Sequence, residues 1–191
     1  MTAGLGSVAL IDAPVPGPGP GVDIAILADI VSGLAAVPDL WRSLVVHDPV
    51  ERGKVRLLGT DDYEVWLLGW CPGQHVELHD HGDSSAAFVV VEGDLVELRA
   101  DAAGEVHRVE LVGGQPRHAP RGTVHDVINV GTEVATSIHA YSPPLTSMGF
   151  YPEGLAGPER IEPVAEVPAM FDPSGLARQL HPAGPGANFR P

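Results

Sequence analysis

The chain has 191 residues, 11 of them basic and 25 acidic, and its formal net charge is −14. Nucleic acids and anionic membrane surfaces are bound through basic faces, so this balance argues against both as partners. Cys71 is the only cysteine, which excludes an intramolecular disulfide and favours a cytoplasmic location. No apolar run approaches the roughly 18 residues of a membrane span, so we expect no membrane partner.

The N-terminal region is expected to contain a flexible segment followed by helix. Residues 1–22 end in alternating Pro and Gly, neither of which holds a helix. Asp23 is a candidate N-cap, because apolar residues recur behind it at helical spacing. A second helical turn is expected over residues 39–44, after Pro38. Residues 23–45 are therefore interpreted as a helical N-terminal segment.

The next hundred or so residues consist of short β-rich runs separated by Gly, Pro, Asp or Asn. Nine such runs predict an antiparallel architecture, either closed or sandwiched. The runs are Lys54–Leu58, Tyr63–Trp70, His75–Asp80, Ala86–Val91, Leu95–Arg99, Val106–Leu111, Gln115–His118, Thr123–Asn129 and Val134–Tyr141. Residues 153–191 are rich in Pro and weakly periodic, so we expect an irregular C-terminal extension.

Two histidines one residue apart carry the clearest chemical pattern. His79 and His81 flank Asp80 in a predicted strand, where alternate side chains face the same side. Two neutral imidazoles held side by side form half of a site for Fe, Zn, Cu or Ni. A third histidine on an adjacent strand would complete the site and leave positions open for a substrate.

The spacing around this pair extends over two motifs. The first comprises Gly73, His79, His81 and Gly93, and the second comprises Gly114, Pro120, Gly122, His125 and Asn129. Both have the spacing of the conserved cupin motifs, except that Ala86 stands where the cupin pattern has a glutamate ligand. The chain therefore resembles a cupin, which implies an all-β fold: a jelly-roll β-barrel over residues 46–152, with short N-terminal helices and an irregular C-terminal extension.

A three-histidine site without the carboxylate resembles the cysteine dioxygenase type I family, in its bacterial form. The segment 137–144, Ser-Ile-His-Ala-Tyr-Ser-Pro-Pro, is similar to the Ser-x-His-x-Tyr-Ser-Pro-Pro signature of that family. Trp70 precedes His79 by nine residues, and Arg56 precedes Trp70 by fourteen, as two further family positions require. The resemblance covers roughly residues 50–151 and implies a cis bond between Ser142 and Pro143.

The resemblance implies an iron enzyme. Fe(II) would be bound by His79, His81 and His125, with L-cysteine and O2 as substrates and cysteine sulfinic acid as product. Three neutral ligands leave the full positive charge on the ion, which favours an anionic thiolate in an open position, and a coordinated thiol is held deprotonated. We expect a monomer or a weak oligomer.

The resemblance also assigns the groups around the metal. Arg56 would hold the substrate carboxylate with its planar guanidinium, while Trp70 and Met148 would line the pocket. Three residues that alternate on one strand would form a hydrogen-bonded chain that holds a tyrosine hydroxyl toward the substrate. They are Ser137, His139 and Tyr141.

Alternatives remain for substrate and for class. Enzymes that oxidise 3-mercaptopropionate have the same three histidines, but usually carry Gln at the position of Arg56 and an Arg from the C-terminal region. Arg56 therefore favours cysteine, while Arg160 or Arg178 would favour the other thiol. Arg56 could also be an ordinary ion-pair residue. A non-catalytic sensory cupin or a metal-dependent isomerase would need neither the Ser-His-Tyr strand nor an arginine facing a carboxylate.

Overall fold

The computed structural model describes residues 21–152 and 155–172. The expectations for residues 1–20 and for Arg178 lie outside this part of the chain. The described strands are β1 (Gly53–Gly59), β2 (Glu64–Trp70), β3 (His79–Asp80), β4 (Ser85–Glu92), β5 (Leu95–Ala100), β6 (Val106–Leu111), β7 (Arg117–Ala119), β8 (His125–Ile128), β9 (Ala135–Ser142), β10 (Ser147–Phe150) and β11 (Arg160–Pro163).

The N-terminal segment forms one α-helix, α1 (Ile24–Ala35), and two one-turn 3-10 helices, Pro38–Leu40 and Arg42–Leu44. As predicted, Asp23 caps α1, and its carboxylate accepts a hydrogen bond from the Ala25 amide at 2.8 Å. No single helix in the described ranges is long and apolar enough to cross a bilayer. Together α1 and the short helices have that length and composition, but they bend by 83° at the break between them.

The strands pair into two antiparallel sheets. One has the order β1-β2-β9-β4-β7 and the other the order β11-β10-β3-β8-β5-β6. Their inner faces share a buried apolar cluster that draws residues from both sheets. Its members include Trp66, Leu68, Phe88, Leu95, Leu111 and Val127.

Helix α1 covers the outer face of the five-stranded sheet. Leu27 and Val31 are fully buried there, and the Trp41 indole donates a hydrogen bond to the Leu34 carbonyl at 2.9 Å. Because this sheet is covered on both faces, β2 and β9 are buried along their whole length. Polar side chains on the inner face of β9 are therefore shielded from bulk water.

The strand predicted over His75–Asp80 is shorter than expected, since β3 contains only its last two residues. Glu77 has a φ of 75°, in the left-handed region, and this interrupts the extended backbone. The backbone of His75 lies outside β3 and forms an isolated bridge with Ile128.

Part of the expected irregular extension is regular. Strand β11 pairs with β10, a strand that the sequence pattern did not predict, and places Arg160 opposite Phe150. Farther on, the Phe171 amide donates to the Leu57 carbonyl at 2.9 Å. The segment after residue 155 thus returns to the barrel and joins both sheets.

The substitution Leu27→Ala tests the contact between α1 and the sheet. Leu27 is 0% exposed, so its truncation should leave a cavity and lower the free energy of unfolding by about 2–5 kcal/mol. Urea denaturation followed by circular dichroism measures the change. The control Ile26→Ala alters a side chain that is 51% exposed and should change the free energy of unfolding by about 0.5 kcal/mol or less. Equal losses in the two variants would contradict this packing.

Candidate metal centre and substrate cavity

Three imidazoles meet between the two sheets. Antiparallel pairing places His79 of β3 directly opposite His125 of β8, and His81 follows β3 immediately. The ring centroids lie 4.9–5.0 Å apart. One ring nitrogen from each residue lies within 4.8 Å of the other two, and all three residues are buried. Within the described ranges, no carboxylate oxygen belongs to this group.

Hydrogen bonds orient two of the rings. Nδ1 of His79 donates to the Glu77 carbonyl at 2.8 Å, and Nδ1 of His125 donates to Glu97 Oε1 at 2.8 Å. In a neutral imidazole a proton on Nδ1 leaves Nε2 as a lone-pair donor. Burial lowers the pKa of His79 and of His81 well below the ordinary value, and the neighbouring imidazoles lower it further. Both rings are therefore neutral, which is the form that binds metal ions.

The donor set fits a divalent transition metal. Nε2 of His125 lies 3.4 Å from Nε2 of His81, and two lone pairs aimed at each other at this distance repel unless a cation or a proton lies between them. Three imidazoles suit Fe, Zn, Cu or Ni without selecting among them. Ala86 is fully buried and offers no ligand atom.

A buried hydrogen-bonded chain lies beside the imidazoles. The Trp70 indole donates to Ser137 Oγ at 2.9 Å, and Ser137 Oγ lies 2.9 Å from His139 Nε2. Nδ1 of His139 is 3.3 Å from the Tyr141 hydroxyl. Because an indole only donates, Ser137 accepts from Trp70 and can direct its own proton to His139. His139 then donates from Nδ1, and the Tyr141 proton is left for a molecule in the cavity.

The environment fixes the protonation of this chain. Burial lowers the pKa of His139 well below its ordinary value, with a further contribution from the positive charge of Arg52. Burial raises the pKa of Tyr141. At neutral pH His139 is therefore neutral and Tyr141 keeps its proton. The Tyr141 ring meets His81 edge to face at 5.0 Å, and the Ser142–Pro143 bond that follows is cis, as expected.

The imidazoles and the tyrosine open onto a cavity of about 440 Å³. Apart from the functional groups, its walls are largely apolar and come from both sheets and from the segment after β10. Wall residues include Trp66, Leu68, Trp70, Val127, Met148 and Val164. Trp70 and Met148 are thus both wall residues of the cavity. Apolar walls strengthen electrostatic contacts made inside the cavity.

Arg56 is not a cavity residue, and its interpretation as the carboxylate-binding group is corrected. Its Nε lies 2.9 Å from Glu64 Oε2, and its Nη1 donates to the Val167 carbonyl at 3.0 Å. The β1–β2 register shifts between Arg56 and Leu58, and the guanidinium folds over Gly59, where a Cβ would stand 2.7 Å from Cζ. The alternative interpretation of Arg56 as an ion-pair residue describes its position.

Arg52 lines the cavity instead, and the sequence analysis missed it. Its guanidinium carbon lies 4.5 Å from the centroid of the Trp70 ring. Arg52 directly precedes β1. Side chains alternate along a strand, so residues 52 and 56 are expected on the same face, and alternation alone does not show which of them lines the cavity. The register could have done so: Gly53 pairs with Gly69, which brings Arg52 level with Trp70.

Two other cations of the described ranges lie near the cavity, and both are paired with carboxylates. Arg160 lies over Phe150 and pairs with Glu77 at 3.0 Å and Glu162 at 2.6 Å. Lys54 is exposed on the cavity rim, 3.5 Å from the carboxylate of Glu51. Arg52 is therefore the cation best placed to meet an anion inside the cavity.

Glu97 is a second residue that the sequence analysis missed. It is fully buried on β5, with Leu95 on the same face, so its alternation with an inward-facing apolar residue was the available indication. Burial raises the pKa of Glu97, but the hydrogen bond from His125 and the charges of Arg99 and Arg117 outweigh it. The pKa therefore lies below its ordinary value, and the carboxylate is ionised.

Comparisons with known proteins identify a family and a fold class. The family model described as cysteine dioxygenase type I matches residues 19–153. A Klebsiella pneumoniae protein with a double-stranded β-helix domain is similar at TM-score 0.50 and 20% identity, over 59% of this chain and 88% of that one. That likeness confirms the expected β-barrel class.

Two further structures resemble the chain more weakly. The protein TT1209 from Thermus thermophilus has a TM-score of 0.49 and 22% identity, over 54% of this chain and 93% of that one. A cupin superfamily protein from Desulfitobacterium hafniense has a TM-score of 0.45 and 14% identity, over 53% and 86% respectively.

The substitution His125→Ala tests the metal site. Removing one of three imidazoles should abolish retention of Fe(II) or Zn(II), while the barrel remains folded. Metal content after gel filtration gives the result, with circular dichroism as the check on folding. His118→Ala removes an exposed histidine and should leave the metal content unchanged. Equal metal content in the two variants would place the ion elsewhere.

Proposed function

The chain belongs to the cysteine dioxygenase type I family, and we propose that it oxidises L-cysteine with O2 to cysteine sulfinic acid. The observation that carries the proposal is the meeting of three imidazoles, an arginine and a hydrogen-bonded tyrosine around one cavity. Both atoms of O2 are added to the thiol sulfur, so thiol plus dioxygen balances the sulfinic acid without another reductant.

His79, His81 and His125 would hold Fe(II). When bound, the ion brings the thiolate and dioxygen together and activates them. The protein's part is to keep these rings desolvated and correctly oriented, which their burial and their hydrogen bonds do.

Arg52 would bind the substrate carboxylate. A guanidinium offers two parallel donors to a carboxylate, and its contact with the Trp70 ring limits the positions it can take. Its positive charge also contributes to lowering the pKa of both His79 and His139, so its field reaches the metal site and the hydrogen-bonded chain. Burial lowers the pKa of Arg52, and a carboxylate bound there would stabilise its positive charge.

Tyr141 would donate a hydrogen bond to the bound substrate. Its raised pKa keeps the proton on the hydroxyl. When Nδ1 of His139 carries a proton, it cannot accept a hydrogen bond from the Tyr141 hydroxyl. Trp70 and Ser137 hold His139 in this state from behind. The chain as a whole therefore orients one O–H group toward the cavity.

L-Cysteine is favoured over 3-mercaptopropionate by the position of the cations. The alternative substrate is associated with an arginine from the C-terminal region, but Arg160 is held by Glu77 and Glu162. Among the described C-terminal residues, those that reach the cavity lie within 162–167 and include no cation. Among the described residues this favours Arg52, at the N-terminal end of β1, as the carboxylate partner.

The assay that tests the reaction loads the protein anaerobically with Fe(II) and follows O2 uptake with cysteine, 3-mercaptopropionate and cysteamine. Mass spectrometry with isotopically labelled O2 should find both labelled atoms in the sulfinic acid. A sensory cupin or an isomerase would consume no O2 with any of the three thiols. That outcome would overturn the proposed reaction.

Arg52→Gln should lower kcat/KM for cysteine by about 10- to 100-fold. A charge-assisted hydrogen bond contributes about 1.5–3 kcal/mol, and each 1.4 kcal/mol is about tenfold. Cysteamine has no carboxylate, so its kcat/KM should change far less. Arg56→Gln is the matched control: it loosens the wall behind the cavity, so any loss should be equal for the two thiols. A loss selective for cysteine in Arg56→Gln would restore the original assignment.

The wild-type protein should have a higher kcat/KM for cysteine than for 3-mercaptopropionate. Both thiols carry a carboxylate for Arg52, but only cysteine has an amine that can occupy a second open position on the metal. Steady-state O2 uptake over a range of each thiol measures the ratio. A roughly tenfold preference for 3-mercaptopropionate, equivalent to about 1.4 kcal/mol, would contradict the substrate, while the reaction type would stand.

A further inference from the structure

We propose that Glu97 is a positioning residue of the metal centre, which fixes the proton of His125 on Nδ1 and sets the charge of the three-histidine set. The inference rests on the metal site of the proposed function and is independent of which thiol is oxidised. Glu97 contacts one of the three metal-binding histidines, His125, and does not line the cavity.

The geometry commits His125 to one tautomer. Glu97 on β5 pairs with Val127 on β8, so its side chain lies on the inner face with that of His125. Its Oε1 is 2.8 Å from His125 Nδ1, and both residues are at most 1% exposed. An ionised carboxylate can only accept, so His125 donates from Nδ1, and Nε2 is the nitrogen that faces the other imidazoles. Turning the ring would remove the hydrogen bond to Glu97 Oε1 from a buried carboxylate whose other oxygen has no hydrogen-bond partner, which is unfavourable.

Two arginines lie near the carboxylate and attract it through their charge, without a hydrogen bond to it. Arg99 Nη1 lies 3.8 Å from Glu97 Oε1, and Arg117 Nη2 lies 3.5 Å from Glu97 Oε2. Arg99 is itself anchored, since it donates to the His118 carbonyl at 2.7 Å. Arg117 belongs to β7 of the other sheet. The carboxylate is thus balanced between one metal-binding imidazole and two cations.

This arrangement places a negative charge one ring away from the ion. The imidazole ligands bring no charge of their own, and Ala86 offers no carboxylate. A carboxylate that accepts from Nδ1 makes the imidazole a stronger electron donor and holds its orientation. Loss of the charge at Glu97 should therefore weaken metal binding, and should destabilise Fe(III) more than Fe(II).

A purely structural role is the competing interpretation, because Glu97 also bridges the two sheets. Three variants separate the two roles. Glu97→Gln keeps the shape and removes the charge, Arg117→Gln removes one balancing cation, and Glu110→Gln alters an exposed carboxylate paired with Arg108. Fe(II) and Zn(II) affinities are measured by chelator competition, and the Fe(III)/Fe(II) midpoint potential is measured at saturating iron without thiol.

The proposal predicts opposite shifts in potential. Glu97→Gln should weaken both affinities by about 10- to 100-fold and raise the midpoint potential. Arg117→Gln should lower the potential, because it leaves the carboxylate less balanced, and Glu110→Gln should change nothing. A general loosening of the barrel would not produce opposite signs.

The proposal is overturned if Glu97→Gln keeps wild-type affinity and potential, even when its melting temperature falls. It is also overturned if Glu97→Gln and Arg117→Gln shift the potential in the same direction. Should Glu97→Gln fail to fold, Arg117→Gln decides: a lowered potential supports the proposal, and an unchanged or raised one overturns it. These readouts need no thiol, so an inactive wild type that still shows the shifts would refute the reaction and leave this inference standing.

Discussion

The antiparallel pairing of β3 with β8 is the contact around which the site is organised. It is short, since β3 contains only two residues, yet it sets His79 opposite His125 and carries His81 into the same space. Each of these rings is buried and has therefore already lost its hydration. A site of this kind gains its affinity for a cation from preorganisation, because the donors are desolvated and aimed at one point before the ion arrives.

The covering of the five-stranded sheet by α1 explains how polar groups can line its other face. With both faces of β9 buried, Ser137, His139 and Tyr141 have no bulk water and must satisfy one another, with Trp70 as the terminal donor. The hydrogen bonds from Trp70 to the Tyr141 oxygen make this chain rigid, because each broken hydrogen bond leaves an unpaired buried polar group. That rigidity is what allows one tyrosine proton to be directed into the cavity.

Local alternation made much of this predictable. The pair at positions 79 and 81 and the triple at 137, 139 and 141 depend only on strand parity and motif spacing, which the sequence displays. The choice between Arg52 and Arg56 depends on the register of β1 against β2, which side-chain alternation does not reveal. Strands β10 and β11 were not predicted, because their segments are short and flanked by proline. Their pairing with each other stabilises them as strands. The role of Glu97 was not predicted, because a single acidic residue in a strand belongs to no recognisable motif.

The protein as a whole is negatively charged, but its cavity contains a positively charged side chain. The net charge of −14 argues against anionic macromolecules as partners, yet the cavity presents Arg52 beside a cation-binding set, so a small anion can be bound inside. Arg56 takes part in this from behind the wall. By holding the Val167 carbonyl while pairing with Glu64, whose other oxygen accepts from the Leu145 amide, it joins two segments that line the cavity. The two arginines therefore occupy different positions: Arg52 lines the cavity, and Arg56 fixes the wall behind it.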